Sequence, residues 1–180
     1  MKCNGDIFVM GAAISEELGA TALEIPYLGE DVSFFIILPE LHTLDETVQL
    51  LSLERLRGLM SDMFPITLEI GIPKFRMERQ LTNLREVLIT MGLADLFDAS
   101  SADLSGFGSS GLSVDSAIHK TFIEVNEEGS EAAAATALVG LRMARPLEAS
   151  RFICDRPFLF YIYDNLSESV LFIGTFENPK

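Results

Sequence analysis

Three apolar segments rich in strand-forming residues follow one another at the start of the chain: Ile7 to Ile14, Ala20 to Tyr27 and Ser33 to Leu38. Only short stretches separate them, the second marked by the turn residues Gly29-Glu30-Asp31. Connections this short suit antiparallel neighbours, so the pattern predicts a β-meander. Further on, Ile66, Leu68, Ile70 and Ile72 alternate with Thr67, Glu69 and Gly71, the period of a strand with one buried face. Helical signals are fewer. Thr43-Leu44-Asp45-Glu46 has the spacing of a capping box, which predicts a helix from Leu44 through about Met60, broken near Ser52. Asn83 is expected to cap a short helix from Leu84 to Met91, with Gly92 just past its end.

Charge narrows the function classes. The chain of 180 residues has 13 basic and 27 acidic side chains, a formal charge of −14, whereas phosphate backbones and anionic membranes are bound through clusters of Lys and Arg. Nucleic acid and membrane surfaces are therefore not expected partners. Nearly half the residues are apolar, which suits a globular domain, and no repeat or linker divides the chain. The longest apolar runs, Val32 to Pro39 and Pro157 to Tyr163, fall far short of the roughly 20 residues that cross a bilayer. Met1 to Asp6 contains one basic residue with no apolar segment behind it, so no secretory signal is visible. Cys3 and Cys154 make neither a disulfide framework nor a metal site, and two unpaired thiols are expected.

Most other candidate constellations lack context. The Ser-, Gly- and Asp-rich stretch from Asp98 to Ser116 reads as a loop. It contains Gly106-Phe107-Gly108-Ser109-Ser110-Gly111, a letter match to the dinucleotide fingerprint, but that fingerprint needs a strand before it and a helix after it. No cofactor is expected. His42 and His119 have neither a nucleophile elbow nor metal-ligand spacing beside them, and Lys74, Arg76, Arg79 and Arg85 read either as an anion site or as a solvated face.

Glu127-Glu128-Gly129-Ser130-Glu131-Ala132-Ala133-Ala134-Ala135-Thr136-Ala137 is the most unusual segment. Alanine is the best helix former, so propensity alone reads it as an exposed helix. The preceding Lys120 to Val125 reads as a strand, however, and every second residue onward (Ser130, Ala132, Ala134, Thr136, Leu138) is uncharged. One face is thus compatible with a sheet, while Glu131 on the other remains in water. A segment tolerable both as a loop and as a central strand has the make-up of a conformational switch. Both readings stand on the segment alone.

Several motifs together resemble the serpins, serine-protease inhibitors that insert a reactive loop into their main sheet. Lys120-Thr121-Phe122-Ile123-Glu124-Val125-Asn126-Glu127-Glu128-Gly129, followed by small residues, is similar to that family's last core strand and hinge. Phe152-Ile153-Cys154-Asp155-Arg156-Pro157-Phe158-Leu159-Phe160-Tyr161-Ile162 matches its signature, and Phe172-Ile173-Gly174-Thr175-Phe176-Glu177-Asn178-Pro179 its ending. Leu18 to Pro39 and Ala102-Asp103-Leu104-Ser105-Gly106 also fit. The resemblance covers nearly the whole chain but only the C-terminal half of the family's fold. It implies an α+β fold, mostly β-sheet with a few helices, in which residues 1–180 form a partial serpin domain without the N-terminal helices and strands. His119 resembles the buried shutter histidine, whose partners would come from that other half.

The resemblance also implies a reactive loop at about residues 127–150 and a suicide-substrate inhibitor rather than an enzyme. Counting from Glu127 places the bait bond at Met143-Ala144, which suits an elastase-like or chymotrypsin-like serine protease. Arg142 is the rival bait, for a trypsin-like target; Arg145 is disfavoured by Pro146 behind it. A non-inhibitory serpin and a truncated, binding-only fragment are the alternative readings. The resemblance favours a secreted, extracellular protein, like the salivary serpins of blood-feeding arthropods, with an extracellular serine protease as its expected partner; no glycosaminoglycan partner is assigned. Asn165-Leu166-Ser167 is a glycosylation sequon on an expected turn.

Overall fold

The computed structural model describes residues 7–108, 112–126 and 150–179. They divide into two compact units, one of the described residues up to Lys74 and from Val125 onward, the other of those from Phe75 to Glu124.

In the larger unit, β1 (Ile7–Ser15), β2 (Ala20–Pro26) and β3 (Val32–Pro39) form the expected antiparallel meander. Gly19 makes the first corner: its φ is +53°, and a Cβ there would lie 2.6 Å from the His42 ring. Its carbonyl also accepts the amides of Glu40 and Leu41, tying the β1–β2 turn to the end of β3. The interrupted helix appears as α1 (Leu44–Leu50) and α2 (Leu53–Ser61). The Thr43 hydroxyl accepts the Glu46 amide at 3.3 Å while the Glu46 carboxylate accepts the Thr43 amide at 2.8 Å, a complete capping box. Ser52 caps α2 by accepting the Arg55 amide at 3.2 Å, so the break near Ser52 is a fresh helix start.

The alternating strand becomes β4 (Phe64–Gly71), pairing antiparallel with β1 and burying Leu68 and Ile70. It starts two residues before the expected run. After β5 (Phe75–Leu81) and β6 (His119–Val125), both described below, come β7 (Ser150–Ile153), β8 (Phe158–Asp164) and β9 (Ser169–Phe176). Among the described residues, seven strands form one sheet in the order β7-β4-β1-β2-β3-β8-β9, antiparallel throughout except for β4 beside β7. Ala13, Ala22, Phe35, Ile37, Leu159 and Tyr161 form its packed centre with Leu56 and Leu59 of α2. The opposite face of β3 is buried too, with Phe34 stacked on Phe160 at 5.7 Å, which explains why β3 reads as an unbroken apolar run.

In the smaller unit, β5 and β6 form a two-stranded sheet, with α3 (Leu84–Thr90) and a short 3-10 turn (Asp95–Phe97) between them in sequence. Asn83 stands at the N-cap of α3 but makes no side-chain cap hydrogen bond, contrary to the sequence expectation, because its φ of −101° and ψ of 24° depart from the extended cap geometry. The far end behaves as expected. Gly92, with φ +98°, donates to Ile89 and Leu93 donates to Leu88, a Schellman closure that requires the left-handed region. The charged run of β5 gave no strand signal in the sequence.

Candidate reactive-loop scaffold

The expected reactive bond Met143-Ala144, its rival Arg142 and the expected hinge residues Glu127, Glu128, Gly129, Ser130, Glu131, Ala132, Ala133, Ala134, Ala135 and Thr136 lie outside the described residues. What is described is the strand that enters this segment and the strand that leaves it. β6 ends at Val125, and among the described residues its only strand neighbour is β5. Alternate residues of β6, Thr121, Ile123 and Val125, are half-buried, whereas Lys120, Phe122 and Glu124 are exposed. The Arg76 guanidinium lies over the Phe122 ring at 5.0 Å, and Arg85 lies over Phe97 at 5.3 Å. Two of the four scattered basic residues are thus committed to ring faces rather than gathered as an anion site. His119 opens β6 and is exposed.

On the exit side, β7 is short and runs parallel to β4, with Arg151 opposite Glu69. The pair is bidentate: Nε lies 3.2 Å from one carboxylate oxygen, and Nη2 donates to the other at 3.2 Å. A two-point fork fixes direction as well as distance, so it ties the strand to β4 where only four residues pair. Behind it the Cys154 amide donates to the Gly71 carbonyl at 2.8 Å, and Arg156 closes the corner by donating Nε to the Pro39 carbonyl at 2.7 Å. Arg156 also pairs with Glu40 at 2.5 Å and with Asp155 at 3.1 Å. The signature segment is therefore a fixed corner followed by a core strand: Phe158, Leu159, Phe160 and Tyr161 of β8 are all buried. Gly174 of β9 lies opposite Phe160, and a Cβ there would come within 2.7 Å of that ring.

Two buried groups of this corner and its core strand, Cys154 and Tyr161, are held in their neutral forms by burial. Burial pushes the Cys154 thiol up to about 12, outweighing the Arg156 charge. Cys154 is a free thiol, and Cys3 lies outside the described residues. Burial, chiefly, also raises the Tyr161 phenol. Among the described residues no group of three or more His, Cys, Asp or Glu side chains is placed to hold a metal, and no helix is long and apolar enough to cross a membrane. Gly106, Phe107 and Gly108 of the fingerprint match occupy a turn between the 3-10 segment and β6, not a strand-to-helix junction; Ser109 to Gly111 lie outside the described residues.

Sequence reasoning missed Glu69 as a partner of the loop's exit. Its only signal was a carboxylate on the outward face of an alternating strand; the register that brings Arg151 to it joins residues 82 apart.

Comparison with known proteins agrees with this architecture. Residues 5–179 match the family described as Serpin (serine protease inhibitor). The chain is 42% identical over 171 residues to human Serpin B4, covering 93% of this chain and 43% of that protein. It is 42% identical over 170 residues to a leukocyte elastase inhibitor of Xenopus tropicalis, covering 91% and 44%, and 42% identical over 179 residues to Iris of Ixodes ricinus, covering 97% and 46%. The chain thus spans less than half the length of these relatives. Among solved structures, a tumour suppressing serpin superposes with a TM-score of 0.77 at 23% identity, over 95% of this chain and 45% of that one. Thyroxine-binding globulin in complex with thyroxine superposes with a TM-score of 0.79 at 21% identity, over 97% and 45%. The β-meander, the signature corner and these matches converge: the chain belongs to the serpin family of serine protease inhibitors and carries a partial serpin fold.

Proposed function

We propose that this chain supplies the reactive loop, hinge and C-terminal core of a suicide-substrate inhibitor of serine proteases, with Met143-Ala144 as the bait bond. The observation that carries the reading is a continuity. β6, paired among the described residues with β5 alone, runs into a segment whose alternate residues from Ser130 to Thr136 are small and uncharged. A strand added beside β6 at that register presents no charge to the face it buries.

In this mechanism the target's serine oxygen attacks the Met143 carbonyl, an ester forms, and the bond to the Ala144 nitrogen breaks. Insertion of the freed hinge then competes with hydrolysis of the ester. The chain acts as a substrate that traps its enzyme, not as a catalyst. The unbranched apolar Met143 suits an elastase-like or chymotrypsin-like pocket. The names of the leukocyte elastase inhibitors among its relatives support that class. An extracellular target rests on the family resemblance alone.

The test uses a full-length serpin carrying this chain as its C-terminal part, incubated with chymotrypsin-like, elastase-like and trypsin-like proteases. The expected products are an SDS-stable complex with the first or second and a released peptide beginning at Ala144. Cleavage solely after Arg142 would move the bait residue and the target class. Turnover without any complex would overturn the inhibitory reading.

A further inference from the structure

The sequon Asn165-Leu166-Ser167 does lie in the exposed β8–β9 turn, but its asparagine is engaged. The Asn165 amide nitrogen Nδ2 donates to the Glu30 carbonyl at 2.8 Å and to the Ser33 hydroxyl at 3.1 Å, and the backbone N–H of Asn165 donates to the Asp31 carbonyl at 2.8 Å. The orientation of the side chain follows from chemistry: the Glu30 carbonyl only accepts, and the Ser33 hydroxyl already donates to the Glu24 carboxylate at 2.8 Å, so both need the nitrogen. Ser33 is fully buried, which makes its hydrogen bonds costly to lose.

The hairpin these bonds hold is one that needs holding. Gly29 and Glu30 follow each other at φ +95° and +63°, and the left-handed region is unfavourable for a glutamate. The turn has its own bonds, Tyr27 to Val32 at 2.8 Å and Glu30 to Tyr27 at 3.0 Å, but the Glu30 carbonyl is capped by Asn165 from the neighbouring strand pair. N-glycosylation replaces one hydrogen of Nδ2 with the sugar carbon. With both hydrogens committed, one of the two bonds must go, and the sugar must occupy the space of Glu30 or the buried Ser33.

We infer that Asn165 is a clamp between the β8–β9 turn and the β2–β3 hairpin that stays unmodified in the folded protein, a glycan at this sequon and the docked hairpin excluding each other. The test uses a full-length serpin carrying this chain, secreted from a eukaryotic host and fractionated into folded monomer and aggregate. Enzymatic release of N-glycans in heavy-oxygen water tags every occupied asparagine by mass. The Asn165 peptide of the folded fraction should be untagged. A tagged peptide in folded monomer with the unmodified protein's melting temperature would overturn the inference.

A second arm avoids glycans by bacterial expression. Asn165→Asp keeps the size but sets a carboxylate against the Glu30 carbonyl, and should lower the melting temperature by several degrees. Ser33→Ala should cost less, and the double variant should lose less than the sum, because the two changes break one shared bond. A fully additive pair, or an Asn165→Asp protein that melts like wild type, would also overturn the clamp. If Asn165→Asp does not fold, Ser33→Ala combined with Asn165→Ala supplies the same cycle.

Discussion

The ring of Tyr161 lies flat on that of Phe35, with centroids 4.7 Å apart and planes 3° from parallel, between the neighbouring strands β8 and β3. The stack is fully buried, yet the Tyr161 hydroxyl has no hydrogen-bond partner among the described residues. The ring contributes packing, and the hydroxyl subtracts from it, since a buried donor without a partner costs about 1–3 kcal/mol. Tyr161→Phe keeps the stack and removes the orphan. The full-length protein with this change should gain about 1 kcal/mol, read as a higher urea midpoint at an unchanged slope. A lower midpoint would mean that the hydroxyl is satisfied in the folded protein.

Cys154 makes a pH prediction whose sign follows from burial. Its folded-state thiol is held at about 12, above the ordinary value of about 9, so the folded state keeps its proton longer than the unfolded state. Its contribution to stability is therefore fully present below about pH 9 and lost as pH rises toward 12. Correspondingly, iodoacetamide at about pH 8 should leave Cys154 unlabelled in native protein and label it in denaturant, because the thiolate is the nucleophile. Peptide mass mapping reads both states; native labelling at the denatured rate would contradict the buried thiol.

β9 pairs with β8 but leaves Val170, Leu171, Phe172 and Ile173 exposed, four consecutive apolar side chains on a strand at the end of the sheet's order. Produced as a separate 180-residue polypeptide, the chain should bind an apolar dye and self-associate, and it should form no SDS-stable complex with a serine protease. Sedimentation showing a dye-negative monomer, or a trapped protease, would refute this.

The hinge prediction turns on alternation. If Ser130, Ala132, Ala134 and Thr136 enter the sheet beside β6, then Thr136→Arg asks insertion to bury an unpaired charge, at a cost of at least several kcal/mol. In a full-length serpin that variant should be cut at the bait bond and released, with little complex. Ala133→Arg, on the water-facing side, should be far milder. Gel densitometry of complex against cleaved inhibitor compares the two with one protease. Equal loss in both would refute the alternation.

The elements legible in the sequence are those whose cause is local. The meander follows from apolar runs and short turns, α1 from the Thr43 and Glu46 pair, and the end of α3 from Gly92, because each needs only residues a few positions apart. β5 escaped notice because Arg76, Glu78, Arg79 and Gln80 are exposed and leave no apolar period to read. The capping role expected of Asn83 failed on a backbone angle that residue type does not dictate.

What only the tertiary structure decided lies in contacts between residues far apart in the chain. Arg151 finds Glu69 through a parallel register set by neither residue. Asn165, a modification signal by its spacing, meets a hairpin 132 residues away that takes both of its amide hydrogens. A motif records which groups a short segment offers; whether they remain available is settled by which distant donors and acceptors folding brings within about 3 Å of them.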